Sequence, residues 1–179
     1  MWNRAKSWLS AVPRENSVKV IWAADFDGGR LHQDETRDGM RYVVVPDRRA
    51  PSMILARPAV LLQRTTAIEQ RRRIVAAILS ADDLAAWGDR VVVENHVNVL
   101  TCSDSGTVLT PRLLVALLHS RAIDRIYRCL SGSVAVSAYE LAALPMPGPD
   151  ILSGWCGLPL RELEAAIEEL YGLAPEGAA

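Results

Sequence analysis

Apolar and polar positions alternate in short bursts through the first half of the chain and recur at helical spacing in the second. Val18-Lys19-Val20-Ile21-Trp22 and Arg41-Tyr42-Val43-Val44-Val45 read as strands, the second ended by Pro46. Residues from Met1 to about Val12 suit a short helix stopped by Pro13, and Asp25 to Asp38, rich in Gly and Asp, reads as a loop. Ala59-Val60-Leu61-Leu62-Gln63-Arg64-Thr65 reads as a buried strand. The next stretch has two readings. Thr66-Ala67-Ile68-Glu69 has capping-box spacing and suits a helix through Ala77, whereas Ile74 to Leu79 suits the return strand of a hairpin, which we prefer. Ser80-Ala81-Asp82-Asp83 opens a short helix reaching Trp87.

Val91 to Leu100 is the clearest strand by pattern. Val91, Val93, Asn95, Val97 and Val99 fall on one face, and Val92, Glu94, His96, Asn98 and Leu100 on the other. Thr110-Pro111 opens a helix striped by Leu113, Leu114, Leu117, Leu118 and Ile123. Ser137 suits the cap of a short helix containing Glu140 and Leu141. Leu160, Leu163, Ile167, Leu170 and Tyr171 mark an amphipathic C-terminal helix. The pattern predicts an α+β fold, a curved and mostly antiparallel sheet with flanking helices.

Composition adds little until charge is followed along the chain. The 179 residues are 50% hydrophobic and 23% charged, with a formal net charge of −1, an ordinary globular balance. The sum hides a basic segment, Arg41, Arg48, Arg49, Arg57, Arg64, Arg71, Arg72 and Arg73, set against only Asp47 and Glu69. Glu162, Glu164, Glu168, Glu169 and Glu176 crowd the other end. This asymmetry suits a protein with one anion-facing surface, and equally two unrelated solvated faces. Cys102, Cys129 and Cys156 lie far apart, without metal-ligand spacing. The start leads into no signal-peptide-like apolar run, and no stretch is long and apolar enough to span a bilayer, so the expected place is the cytoplasm.

Four blocks then resemble, in order, the C-terminal specificity domains of adenine-specific DNA methyltransferases of the TaqI-like group. They are Val60-Leu61-Leu62-Gln63-Arg64-Thr65-Thr66 followed by Glu69-Gln70-Arg71-Arg72-Arg73; Val91 to Leu100; Leu113 to Ser120; and Ser131-Gly132-Ser133 through Ser137 to Leu144-Pro145-Met146-Pro147. In the third block the family usually has Asn where this chain has His119. The fourth also resembles the end of target-recognition domains in type I specificity subunits. The catalytic half of the family carries a Gly-rich loop for S-adenosylmethionine and an Asn/Asp-Pro-Pro-aromatic motif. Neither stands in this sequence, which has no Pro-Pro pair.

The resemblance implies a target-recognition-like fold that reads double-stranded DNA for a catalytic domain or subunit. It implies no cofactor in this chain, S-adenosylmethionine belonging to the catalytic domain, where base flipping would occur. Arg71, Arg72 and Arg73 become candidates for phosphates. Gln63 and Arg64, beside Thr65 at the end of a strand, become candidates for base edges, although Arg64 equally suits an internal ion pair. Glu94, His96 and Asn98 share a strand face and are candidates too, against a structural reading of that face. His96 lacks partners at metal spacing, and Ser131, Ser133 and Ser137 read as loop and cap residues, not nucleophiles.

The expected division is a junction segment over 1–40, a recognition domain over 41–150, and a C-terminal helix and tail over 151–179. Two alternatives remain: a type I-like specificity subunit bridging separate subunits, and a truncated remnant that binds nothing.

Overall fold

A computed structural model describes residues 8–32, 39–45, 54–67, 69–102 and 107–173. The fold is mixed α+β, as the pattern predicts, with mostly antiparallel pairing. Among the described residues the strands form not one sheet but two five-stranded ones. The first runs β1 (Leu9–Ser10), β5 (Tyr42–Val44), β2 (Ser17–Ile21), β9 (Val91–Val93), β6 (Ile54–Leu55). The second runs β10 (Val97–Leu100), β7 (Ala59–Gln63), β8 (Ala76–Leu79), β4 (Arg30–Leu31), β3 (Phe26–Asp27). The chain clusters into two compact units. One comprises Met1–Leu61 with Ala77–Thr101, the other Leu62–Ala76 with Cys102–Ala179.

In the first unit, Val18, Val20, Val43, Val45 and Val92 form one apolar cluster, and Ile21, Ala59, Leu61, Leu79, Leu84, Val91 and Val97 form another. The helix expected up to Val12 gives way to strand β1 over the part that is described; residues 1–7 lie outside it. The loop from Asp25 contains the hairpin β3–β4. Gly28 and Gly29 both have positive φ, which a tight two-residue hairpin turn demands. Arg48 and Arg49 lie outside the described residues. The preferred strand reading after Ile74 is observed as β8, and Ser80 caps α1 (Ala81–Ala86) through a reciprocal box with Asp83.

The strand from Val91 to Leu100 is a correction. It breaks into β9 and β10 at Glu94, and the two pieces belong to different sheets. The Val97 N–H donates to the Glu94 carbonyl at 3.1 Å, closing a four-residue turn over Asn95 and His96. The two-faced alternation therefore does not run through the segment, and Glu94, His96 and Asn98 do not share a strand face. Valines on both sides of the turn conceal the break; Asn95, a turn former, is its one local signal.

Arg41 carries the first charge of the basic segment, yet it is buried. Its Nη1 donates to Asp25 Oδ1 at 2.6 Å, and Asp25 Oδ2 accepts from the Trp22 N–H at 2.8 Å. This joins the end of β2 to the chain entering β5. Removing one member of such a pair strands the other charge in a dry interior. Asp25→Ala is expected to destabilise the chain by about 3–5 kcal/mol in urea unfolding. A loss below about 1 kcal/mol would show that water reaches the pair.

Candidate nucleic-acid interface

The second unit is built on helices. α2 (Pro111–His119) and α3 (Arg121–Leu130) meet at Ser120, whose hydroxyl donates to the Leu117 carbonyl and accepts from the Ile123 N–H. One buried serine so ends one helix and caps the next. The helix after Ser137 is α4 (Ala138–Ala142). Leu113, Ala116 and Leu117 of α2 share a core with Leu152 and Trp155 of α5 (Pro149–Gly154, with its C-cap) and with Leu163 and Ile167 of α6 (Leu160–Leu170). The C-terminal amphipathic helix is thus an integral wall of this unit. Arg121 reaches Glu168 of α6 at 3.4 Å, so part of the acidic stripe is used inside the unit.

Against this helical base lies the segment between β7 and β8. It is fastened at many points. The Val136 N–H donates to the Arg64 carbonyl at 2.7 Å and the Thr66 N–H to the Val134 carbonyl at 3.0 Å. Thr65 bridges Ala135 in antiparallel fashion. The stretch that follows the Ser131-Gly132-Ser133 loop and the Gln63-Arg64-Thr65-Thr66 block, far apart in sequence, are therefore laced together. The Thr66 hydroxyl donates to the Arg73 carbonyl at 2.8 Å.

α3 supplies the other fastening. Asp124 Oδ1 accepts from the Arg73 N–H at 2.6 Å, and Asp124 Oδ2 accepts from Arg128 Nε at 2.6 Å. Arg128 Nη2 donates onward to the Gln70 carbonyl at 2.8 Å and reaches the Arg71 carbonyl at 3.5 Å. The Gln70 N–H closes a turn onto the Ala67 carbonyl at 3.1 Å. A charged pair one helical turn apart so fixes the backbone of the basic segment at Gln70, Arg71 and Arg73.

The three candidate phosphate arginines part company here. Arg71 is exposed and Arg72 half-buried, whereas Arg73 is only 2% exposed. Arg73 donates to the Ser133 carbonyl, and its guanidinium lies 6.0 Å from the centre of the Tyr127 ring. Arg73 is a structural pillar of this surface. Arg64 and Thr65 are exposed and Gln63 is half-buried at the end of β7. Gln63, Arg64, Thr65, Arg71 and Arg72 thus occur on one braced segment.

Glu94, His96 and Asn98 belong to the other unit. Glu94 is 9% exposed, accepts from the Ala23 N–H at 3.3 Å, and lies 2.5 Å from His96 Nδ1. Its carboxylate holds the turn between β9 and β10. His96 is exposed and Asn98 half-buried.

Two titrating groups bear on the braced surface. Glu140 is held down to about 2, by the Ser131 hydroxyl first and then by the N–H and hydroxyl of Ser137. It completes the capping box of α4 with Ser137 and accepts from the Tyr127 hydroxyl at 2.9 Å. Ser137 is therefore the cap that the sequence suggests. His119 Nε2 accepts from the Ala76 N–H at 3.0 Å, which requires that nitrogen to be unprotonated. Burial, and then the Arg72 charge, lower its pKa to about 4. The Ser137-x-x-Glu140 spacing marks Glu140 for the capping box; nothing local marks His119, which stands out in the sequence only as a departure from Asn.

Among the described residues, no group of three or more His, Cys, Asp or Glu is arranged to hold a metal ion, and no helix is long and apolar enough to cross a membrane. Cys102, Cys129 and Cys156 are exposed thiols.

Compared with characterised proteins, the chain is 28% identical over 151 residues to the type II methyltransferase M.BsuBI of Bacillus subtilis. The alignment covers 83% of this chain and 30% of that protein. The chain spans less than a third of the length of the relative it matches and is distantly similar to one part of it. No family model matches the chain, and no solved structure matches it.

The lowered pKa of His119 gives a stability test. As pH falls from about 6.5 towards about 4, the unfolded chain takes up the His119 proton before the folded one does. The His119 contribution is full above pH 6.5 and is lost on acidification through that window, by up to about 3 kcal/mol. His119→Gln, which keeps an acceptor for the Ala76 N–H, should flatten that part of the stability–pH curve in urea titrations. An unchanged curve would show that His119 titrates alike in both states.

Proposed function

We propose that this chain recognises a short sequence in double-stranded DNA and positions it for adenine methylation by a restriction–modification methyltransferase. The catalytic domain, with its S-adenosylmethionine, lies in sequence other than this. The observation that carries the reading is the segment from Gln63 to Arg73. It presents cationic and amide side chains from a backbone that is fastened to α3 and to the stretch Val134–Val136. The order of sequence blocks and the distant similarity to part of a type II methyltransferase support it.

Such recognition divides into contacts that hold the duplex and contacts that discriminate. Arg64, Arg71 and Arg72 suit the first task. Each has a cationic guanidinium whose planar fork matches phosphate oxygens. Arg73 does not share it. Gln63 and Thr65 lie on the same segment and suit contacts to base edges. His96 and Asn98 remain candidates for a second contact region, each on its own account and not as members of one strand face.

Binding to duplex DNA should weaken steeply with salt, because neutralised phosphates release counterions. Replacing Arg64, Arg71 and Arg72 by Ala should make the slope of log affinity against log salt shallower, by about 0.9 for each phosphate that is no longer neutralised. Arg73→Ala should instead cost about 1–3 kcal/mol of folding stability, leaving the Ser133 carbonyl without its donor. Fluorescence anisotropy across a salt series checks the first outcome and urea unfolding the second. A slope unchanged in the triple variant would remove the braced segment from the DNA interface.

A further inference from the structure

The fastening of the basic segment exceeds what phosphate binding asks for. A phosphate contact tolerates a mobile loop, since charge acts at a distance and over many geometries. Bidentate reading of a base edge does not: a displacement of about half an ångström spoils it. The turn at Gln70 is fixed on both sides, by its own N–H on Ala67 and by Arg128 on its carbonyl. Asp124 fixes the backbone again three residues later, at the Arg73 N–H. Gln70 itself is exposed, between exposed Glu69 and exposed Arg71.

We propose that Gln70 is a base-reading side chain and that Asp124 and Arg128 are its positioning residues, holding the Gln70–Arg73 backbone in the shape that reads. This rests on the DNA-recognition reading above. Gln70 carries a donor and an acceptor on one planar amide, the pair that an adenine edge presents in the major groove. Arg128 contributes through geometry as well as charge. Its Nε serves Asp124 while its Nη2 serves the loop carbonyls, a fork that lysine does not reproduce. Asp124 shares itself in the same way, one oxygen to Arg128 and the other to the loop.

The test uses the full chain, a pool of duplexes with a randomised central segment, and amide hydrogen exchange in the free protein. The parent chain should enrich a sequence motif. Gln70→Ala should fold as the parent does and lose about tenfold preference at one or two motif positions, with its salt slope unchanged. Arg128→Lys keeps the charge, and so the slope, but should speed exchange at the Arg73 amide and blur the same positions. Asp124→Ala should do likewise, with thermal melts confirming a folded chain. Full enrichment at every position in Gln70→Ala would overturn the reading role. Faster exchange in Arg128→Lys with an intact motif would overturn the positioning role. No enrichment by the parent would overturn DNA recognition itself, while the exchange data would still report whether Asp124 and Arg128 shape the loop.

Discussion

The ion pair between Asp124 and Arg128 on α3 is the constraint on which the candidate surface depends. As a pair one helical turn apart it contributes little to stability, about 0.3–0.5 kcal/mol. Its importance lies in where the remaining atoms go. The second Asp124 oxygen and an Arg128 amino group both end on backbone groups of the segment between β7 and β8. Charge-assisted bonds of this kind are short and directional. They give the basic segment one shape, and the laced stretch Val134–Val136 closes it from the other side. Leu113, Leu117, Trp155, Leu163 and Ile167 form a helical core within the unit that carries α3.

The basic segment seen in sequence is not a uniform field of positive charge. Arg41 is engaged inside the first unit by Asp25, and Arg73 inside the second by Ser133 beside Tyr127. Arg57 donates to the Thr101 hydroxyl. The braced segment itself offers Arg64, Arg71 and Arg72 together with amide and hydroxyl groups. A net charge of −1 is compatible with an anion-binding face when the cations that matter are this few and this localised.

Much of the architecture was legible because it rests on local rules. Pro111 at the start of α2, Ser80 and Ser137 at their caps, and the apolar stripe of the C-terminal helix all announce themselves within a few residues. The break at Glu94 did not, because periodicity counts valines and not partners. Val91–Val93 pairs with β2, while Val97–Leu100 lies beside β7 in the other sheet, and only tertiary pairing distinguishes them. Burial of Arg73 was equally hidden: Arg71, Arg72 and Arg73 are one residue type three times over, separated by which of them α3 and Ser133 engage. The two discontinuous units are likewise a property of tertiary packing and leave no mark in composition. Gln63 and Arg64 were visible as chemistry, but the bracing of the stretch they lie on comes from residues distant in sequence, such as Val134 and Val136.

The central claim is that the braced segment of the second unit is where this chain meets DNA. Photochemical cross-linking of the full chain to halogenated duplex DNA, followed by peptide mapping, addresses it most directly. Cross-links concentrated in the peptides that contain Arg64 to Arg73 and Ser131 to Val136 are the predicted result. Cross-links confined to the turn between β9 and β10 in the first unit, or none above a competitor-blocked background, would contradict it.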